Sequence, residues 1–136
     1  MTRINCIPVD ELTDKHLLAE YRELPRVFKL ARICYDAPNE YTLGAGHVKF
    51  FYNKLCFICK RFHEIIDEMQ YRGFNPNFKN IPDYVFETPL SLWNNWTPTE
   101  EAMRLNRERI AQRLQESKIR KQTKIREQEN VNSRIS

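Results

Sequence analysis

The residues best equipped for chemistry stand at the very start of the chain. Thr2 is small, so removal of Met1 is expected, leaving a threonine α-amine at the terminus. Such an amine has a reference pKa of about 7.7–8.0 against about 10.4 for lysine, so on the order of a tenth or more is free base at neutral pH. The nearby positive charges of Arg3, Arg22 and Arg26 favour the free base further. A free amine can attack an electrophilic sugar carbon and form a Schiff base, the route open to lysine nucleophiles. Many proteins begin Met-Thr, however, so the amine needs partners before it means anything.

Candidate partners sit on one helical segment. Leu17, Tyr21, Leu24 and Phe28 recur at helical spacing and mark an apolar stripe. With Leu17 as origin, Arg22 and Arg26 fall at about 140° and 180°, Glu23 at about 240° and His16 at about 260°. One outward face therefore carries two cations, a carboxylate and an imidazole. That face reads either as a site or as a solvated surface with local ion pairs. A second constellation, Cys56, Cys59 and His63, has the i, i+3, i+7 spacing that shares one helix face. Structural zinc needs four ligands, with Cys6 or Cys34 arriving from elsewhere, and buried thiols are the simpler reading. Gly44-Ala45-Gly46 ahead of a helix could offer amides to a phosphate, but lacks the wider nucleotide fingerprint.

The elements that must position these groups are helices. The first is expected from Thr13-Asp14 through Phe28 toward Tyr35, kinked at Pro25 and ended by Asp36-Ala37-Pro38-Asn39. A long second helix is expected from about His47 to Arg72, capped by Gly73, with Phe51, Leu55, Ile58, Phe62, Ile65, Ile66 and Met69 buried. Residues 74–96 read as an irregular, ordered connection in which Trp93 and Trp96 pack on the helices. Thr97-Pro98-Thr99-Glu100 has the form of a capping box, with Thr97 as cap, opening a third helix. There Ala102, Leu105, Ile110, Ala111 and Leu114 are expected to face inward. The fold class is all-α: a compact single domain of three main helices with irregular connections and a basic C-terminal extension.

Composition narrows the classes further. With 136 residues, 41% of them hydrophobic, the chain suits one core, and no apolar run approaches a membrane span. Three glycines argue against a turn-rich all-β fold, and the N-terminus has no apolar signal core, so export is not expected and the four cysteines read as reduced thiols. The net charge of +4 lies entirely in residues 117–136, which hold six bases and two acids; the first 116 residues balance 16 bases against 16 acids. A neutral body binds nucleic acid only where its arginines gather on one face.

Long ordered blocks then become recognisable. Met1-Thr2-Arg3-Ile4-Asn5, His16-Leu17, Ala19-Glu20-Tyr21-Arg22-Glu23-Leu24-Pro25-Arg26-Val27-Phe28, Leu43-Gly44-Ala45-Gly46-His47-Val48, Phe50-Phe51-Tyr52, Lys54-Leu55 and Arg72-Gly73-Phe74-Asn75 follow in sequence. In them the chain resembles the phage-type pyrimidine-dimer DNA glycosylases that also cleave abasic sites, historically called endonuclease V. The likeness is strong over residues 1–28 and 42–75, weaker over 98–114, and absent beyond. It implies that the Thr2 amine is the nucleophile and Glu23 the essential carboxylate, which stabilises the oxocarbenium-like sugar and moves protons. It implies further that Arg22 and Arg26 grip backbone phosphates, that Arg3 sits beside the nucleophile, and that His16 belongs to the site next to the carboxylate. The weaker alignment puts Arg109 and Arg113, four residues apart on one helix face, at two DNA-contact positions. The family kinks its duplex and extrudes a nucleotide, as enzymes working on stacked bases must.

Two departures stand out. Asp36-Ala37-Pro38-Asn39-Glu40 replaces a longer basic loop, and Ser117-Lys118-Ile119-Arg120-Lys121 stands where the family has an aromatic segment linked to the dimer lesion. Trp93, Trp96 and Tyr84 are the candidate replacements. The expectation is a monomeric, cytoplasmic DNA-repair glycosylase with abasic-site lyase activity on damaged double-stranded DNA, without cofactor, metal or membrane partner (the host cytoplasm, if phage-encoded). Residues 1–116 would form the catalytic domain and 117–136 a basic tail, flexible or a frayed helix. The alternatives are a non-catalytic DNA-binding module of the same fold and a glycosylase for another lesion or modified base.

Overall fold

A computed structural model describes residues 4–33, 37–43 and 47–135, with side chains through Asn132. Three α-helices carry the fold: α1 (Asp14–Ala31), α2 (Leu55–Tyr71) and α3 (Glu100–Ile135), joined by 3₁₀ turns and irregular chain. Among the described residues no strand forms, and one buried cluster runs from Ile4 to Ile110. The molecule is an all-α single domain.

Local chemistry explains the helix boundaries. Thr13 caps α1, its hydroxyl accepting from the His16 backbone N–H at 3.3 Å. Pro25 lies inside α1, which continues past it to Ala31. At the end of α2, Gly73 takes φ +90°, its N–H reaches Gln70 O at 3.0 Å and Phe74 N–H reaches Met69 O at 2.8 Å. That pair of bonds is a Schellman cap, and glycine is the residue that enters the left-handed region without penalty. Phe28 of α1 meets Phe62 of α2 edge to face at 5.7 Å, at the seam between the two helices.

Three expectations are corrected. The long second helix is broken: Val48–Asn53 is a 3₁₀ helix, Lys54 turns to φ −125° and ψ 48°, and α2 begins at Leu55. Phe50, Phe51 and Tyr52 are all buried, and three consecutive residues cannot share one stripe of an α-helix. This segment packs instead against α1, α2 and the Leu90–Leu92 turn, enclosed on several sides. Lys54 holds the break, donating to Phe50 O at 3.0 Å and Asn53 Oδ1 at 2.8 Å. The cap of α3 is Thr99 rather than Thr97, its hydroxyl accepting from Ala102 N–H at 3.0 Å. Ala111 is exposed, because the buried line of α3 runs Ala102, Asn106, Ile110 at four-residue steps.

The connection between α2 and α3 is ordered by its aromatics. Tyr21 stacks on Phe78 at 4.5 Å, donates its hydroxyl to Phe78 O and accepts from Phe78 N–H. Trp93 stacks on Phe86 and donates to Thr88 Oγ1 at 2.9 Å. Beyond Ser117, α3 runs on with every described side chain exposed.

Candidate active site

The geometry of α1 sorts its polar residues by depth. Val27 and Ala31 are buried along with Leu17, Tyr21, Leu24 and Phe28, which shifts the centre of the stripe toward the Glu23 side. Glu23 is therefore not on an outward face: it is buried, at 7% exposure, while Arg22 and Arg26 remain exposed. Arg26 Nη1 lies 3.6 Å from Glu23 Oε2, with its own side chain 70% exposed against 10% for the carboxylate. A buried carboxylate is thus faced by a guanidinium standing largely in water.

His16 lies two turns before Glu23, about 10 Å along the axis. Its ring Nδ1 is 2.7 Å from Thr13 Oγ1. Partial burial, then the charges of Lys15 and of Arg113, hold the imidazole below the ordinary histidine range. The last of these shows that α3 brings Arg113 within electrostatic reach of the start of α1. Arg109, half-buried like Arg113, donates to Gln112 Oε1 at 3.0 Å along its own helix. Thr2 and Arg3 lie outside the described residues, as do Cys34 and Gly44-Ala45-Gly46.

A buried polar cluster has no counterpart among the residues singled out from the sequence. Glu20, fully buried, accepts from Arg61 Nε at 2.7 Å and Nη2 at 3.1 Å, and from the Asn5 side chain at 2.8 Å. Asn106, also fully buried, donates to Asn5 Oδ1 at 2.8 Å. His47, at 2% exposure, has Nδ1 2.6 Å from Thr42 O and Nε2 2.8 Å from Ile4 O. A signal existed: Glu20 lies about 60° from Leu17, inside the α1 stripe, and Arg61 falls between Ile58 and Ile65 on the buried line of α2. Charged residues at core positions of two neighbouring helices read as a pair.

The remaining candidates are structural in surroundings. Cys56 is exposed and its thiol donates to Trp93 O at 3.1 Å, whereas burial pushes the Cys59 thiol up to about 12. Among the described residues no group of three His, Cys, Asp or Glu is arranged to hold a metal ion, and no helix is long and apolar enough to cross a membrane. Trp96 stacks on Tyr41 at 5.4 Å and meets Phe50 and Phe57 edge to face. With Tyr41 and Phe50 it lines an open cleft of about 310 Å³ whose lip carries Glu40 and Glu101, the wrong sign for a phosphate. Tyr84 lies under the Arg32 guanidinium, 5.1 Å from ring centroid to charge.

Against this geometry stands one comparison. The family model described as pyrimidine dimer DNA glycosylase matches residues 1–81, more than half of the chain, and the chain belongs to that family.

Proposed function

We propose that this member of the pyrimidine dimer DNA glycosylases excises the damaged base from double-stranded DNA and then nicks the abasic site, as a monomer, using the Thr2 α-amine and Glu23. The amine attacks C1′ of the damaged nucleotide as the C1′–N bond breaks and the base departs. Loss of a proton and opening of the sugar ring leave a C1′ imine to the protein. Removal of a C2′ proton then expels the 3′ phosphate, and water hydrolyses the imine to release the amine. Glu23 stabilises positive charge on the sugar and carries protons in both stages. Arg22, Arg26, Arg109 and Arg113 hold phosphates, with Arg3 beside the nucleophile and His16 at the rim of the DNA face.

One observation supports this reading best: Glu23 is buried at the edge of the α1 stripe with two exposed arginines beside it. A carboxylate in that position is shielded from bulk water yet adjacent to groups that attract a phosphate backbone, which a helix serving only for packing has no use for. Residues 1–116 act as the catalytic domain in this reading, and the basic residues of 117–136 add non-specific attraction.

Borohydride reduction on abasic-site DNA tests it. The expected result is a covalent protein–DNA adduct on the N-terminal peptide, abolished by acetylating the terminus. No adduct, or an adduct on a lysine, rejects the assignment of the nucleophile. A binding module of the same fold gives retention on DNA and no adduct at all.

A further inference from the structure

The segment Ile4–Ile7 presents an unusual problem of backbone chemistry. It is buried throughout, at 0%, 3%, 5% and 2% exposure, yet belongs to neither a helix nor a strand. Its N–H and C=O groups therefore have no ladder to join, and their partners must come from elsewhere. Four side chains from four different elements supply partners to five of these eight groups. His47, at the start of the Val48–Asn53 turn, faces Ile4 O at 2.8 Å. Glu20 of α1 accepts from Asn5 N–H at 3.2 Å. Asn106 of α3 accepts from Cys6 N–H at 2.8 Å and Ile7 N–H at 3.3 Å. Arg61 of α2 donates to Ile7 O. Three of the four are cross-linked through the Asn5 side chain and the Glu20–Arg61 pair.

Apolar side chains in their place would leave these buried N–H and C=O groups without partners, so the polar set is needed by the backbone it serves. What the polar set adds is a single position for this segment: hydrogen bonds from four directions fix both its height and its rotation. Chain termini are otherwise poorly ordered unless tied down. Two residues of chain span at most about 7 Å, so whatever fixes Ile4 limits where the Thr2 amine can go.

We propose that Asn106, Glu20 with Arg61, and His47 are positioning residues for the N-terminal amine, clamping residues 4–7 so that the nucleophile is held at the sugar carbon. This inference rests on the reading of the Thr2 amine as nucleophile. Loosening the clamp lowers the rate of imine formation without touching the DNA-contact arginines, since a misplacement of about 1 Å costs on the order of 100-fold in rate.

The test measures single-turnover imine trapping on abasic-site DNA at saturating full-length protein, for wild type, Asn106→Ala and a core control, Val85→Ala. All are assayed well below their Tm. Asn106→Ala is expected to trap on the order of 100-fold more slowly, with DNA affinity unchanged and the midpoint of the pH profile unmoved. Val85→Ala, buried in the connection, is expected to lower Tm and leave the trapping rate as in wild type. If Asn106→Ala does not fold, Asn5→Ala removes the side chain that cross-links the clamp and is read in the same assay. A wild-type rate in the clamp variant, or an equal loss in the core control, overturns the inference and leaves the proposed function standing. Failure of the wild-type protein to trap overturns the proposed function itself.

Discussion

Glu20 and Glu23 stand three residues apart on α1, and both are buried, but their surroundings have little in common. Glu20 gives its oxygens to Arg61 and Asn5, and Arg61 is itself sealed, with 5% of its side chain exposed. Glu23 lies 3.6 Å from the Arg26 guanidinium, and 70% of that arginine side chain is in solvent. A sealed pair cannot exchange its cation for anything else. A cation in water can exchange its partner for another anion, so this ion pair is open where the other is closed. One residue type on one helix thus sits in a closed ion pair in one place and in an open one in the other, and the exposure of the arginine separates the two.

The largest expected effect falls on rate. Glu23→Gln keeps the shape but cannot ionise, so single-turnover cleavage of a bound lesion should fall by roughly 10²–10⁴-fold, the usual contribution of a positioned acid–base group. Affinity for lesion DNA should stay as it is or rise, because a negative charge near phosphates has gone. Equal losses of binding and turnover would place Glu23 with Glu20 among the structural carboxylates and erase the contrast.

The complementary change should appear in thermal melting. Glu20→Gln leaves Arg61 buried without a counter-charge, a situation that costs about 3–5 kcal/mol. In a domain of this size that corresponds to a fall in Tm of roughly 10 °C or more. Adding Arg61→Met should recover part of the loss, since the uncompensated charge is then removed. No recovery in the double variant would mean that the pair is not the unit the geometry makes it.

How much of this was legible in the sequence depends on whether a feature is local. The stripe of α1, the Gly73 cap and the helical class all follow from spacing within a few residues, and each appears in the structure. Glu23 lies within the family blocks, but a stripe centred on Leu17 leaves it on the outward face, and only with Val27 and Ala31 does the buried arc extend toward it. The break at Lys54 depends on α1 and the Leu90–Leu92 turn closing over Phe50, Phe51 and Tyr52, neighbours far apart in sequence. The clamp on residues 4–7 is harder still, since Asn106 is about a hundred residues from the N–H groups that donate to it. Glu20 and Arg61 were each visible as a charge on a buried stripe. Pairing them required knowing that α1 and α2 pack against each other.

A smaller effect separates the phosphate grip from both carboxylates. Arg22→Gln, Arg26→Gln, Arg109→Gln and Arg113→Gln should each weaken binding to any duplex and lower the salt slope of log K by roughly 0.9 for each phosphate no longer neutralised. Their melting temperatures should hardly move, unlike Arg61 variants, because Arg22 and Arg26 are exposed and Arg109 and Arg113 only half-buried. A salt slope unchanged in all four variants would remove these arginines from the DNA face and leave Glu23 without neighbours of that kind.

The least effect on lesion chemistry is expected from the far half of α3, where no described charge has buried surroundings. Residues 117–136 carry the whole net charge of +4, and every described side chain from Lys118 to Asn132 is exposed. They include no aromatic residue to stack on a base. Charges so placed attract a duplex at long range and are screened by salt, so they raise non-specific affinity and sliding without shaping a site. Truncation after Glu116 should therefore weaken binding to undamaged DNA and low-salt processivity, leave Tm unchanged, and leave single-turnover cleavage at saturating protein at the wild-type rate. A large fall in that rate would put the end of α3 in the active complex, in the place of the aromatic segment of similar glycosylases. The exposed charges would then have to be grouped with Arg26 as part of the site rather than set apart from it.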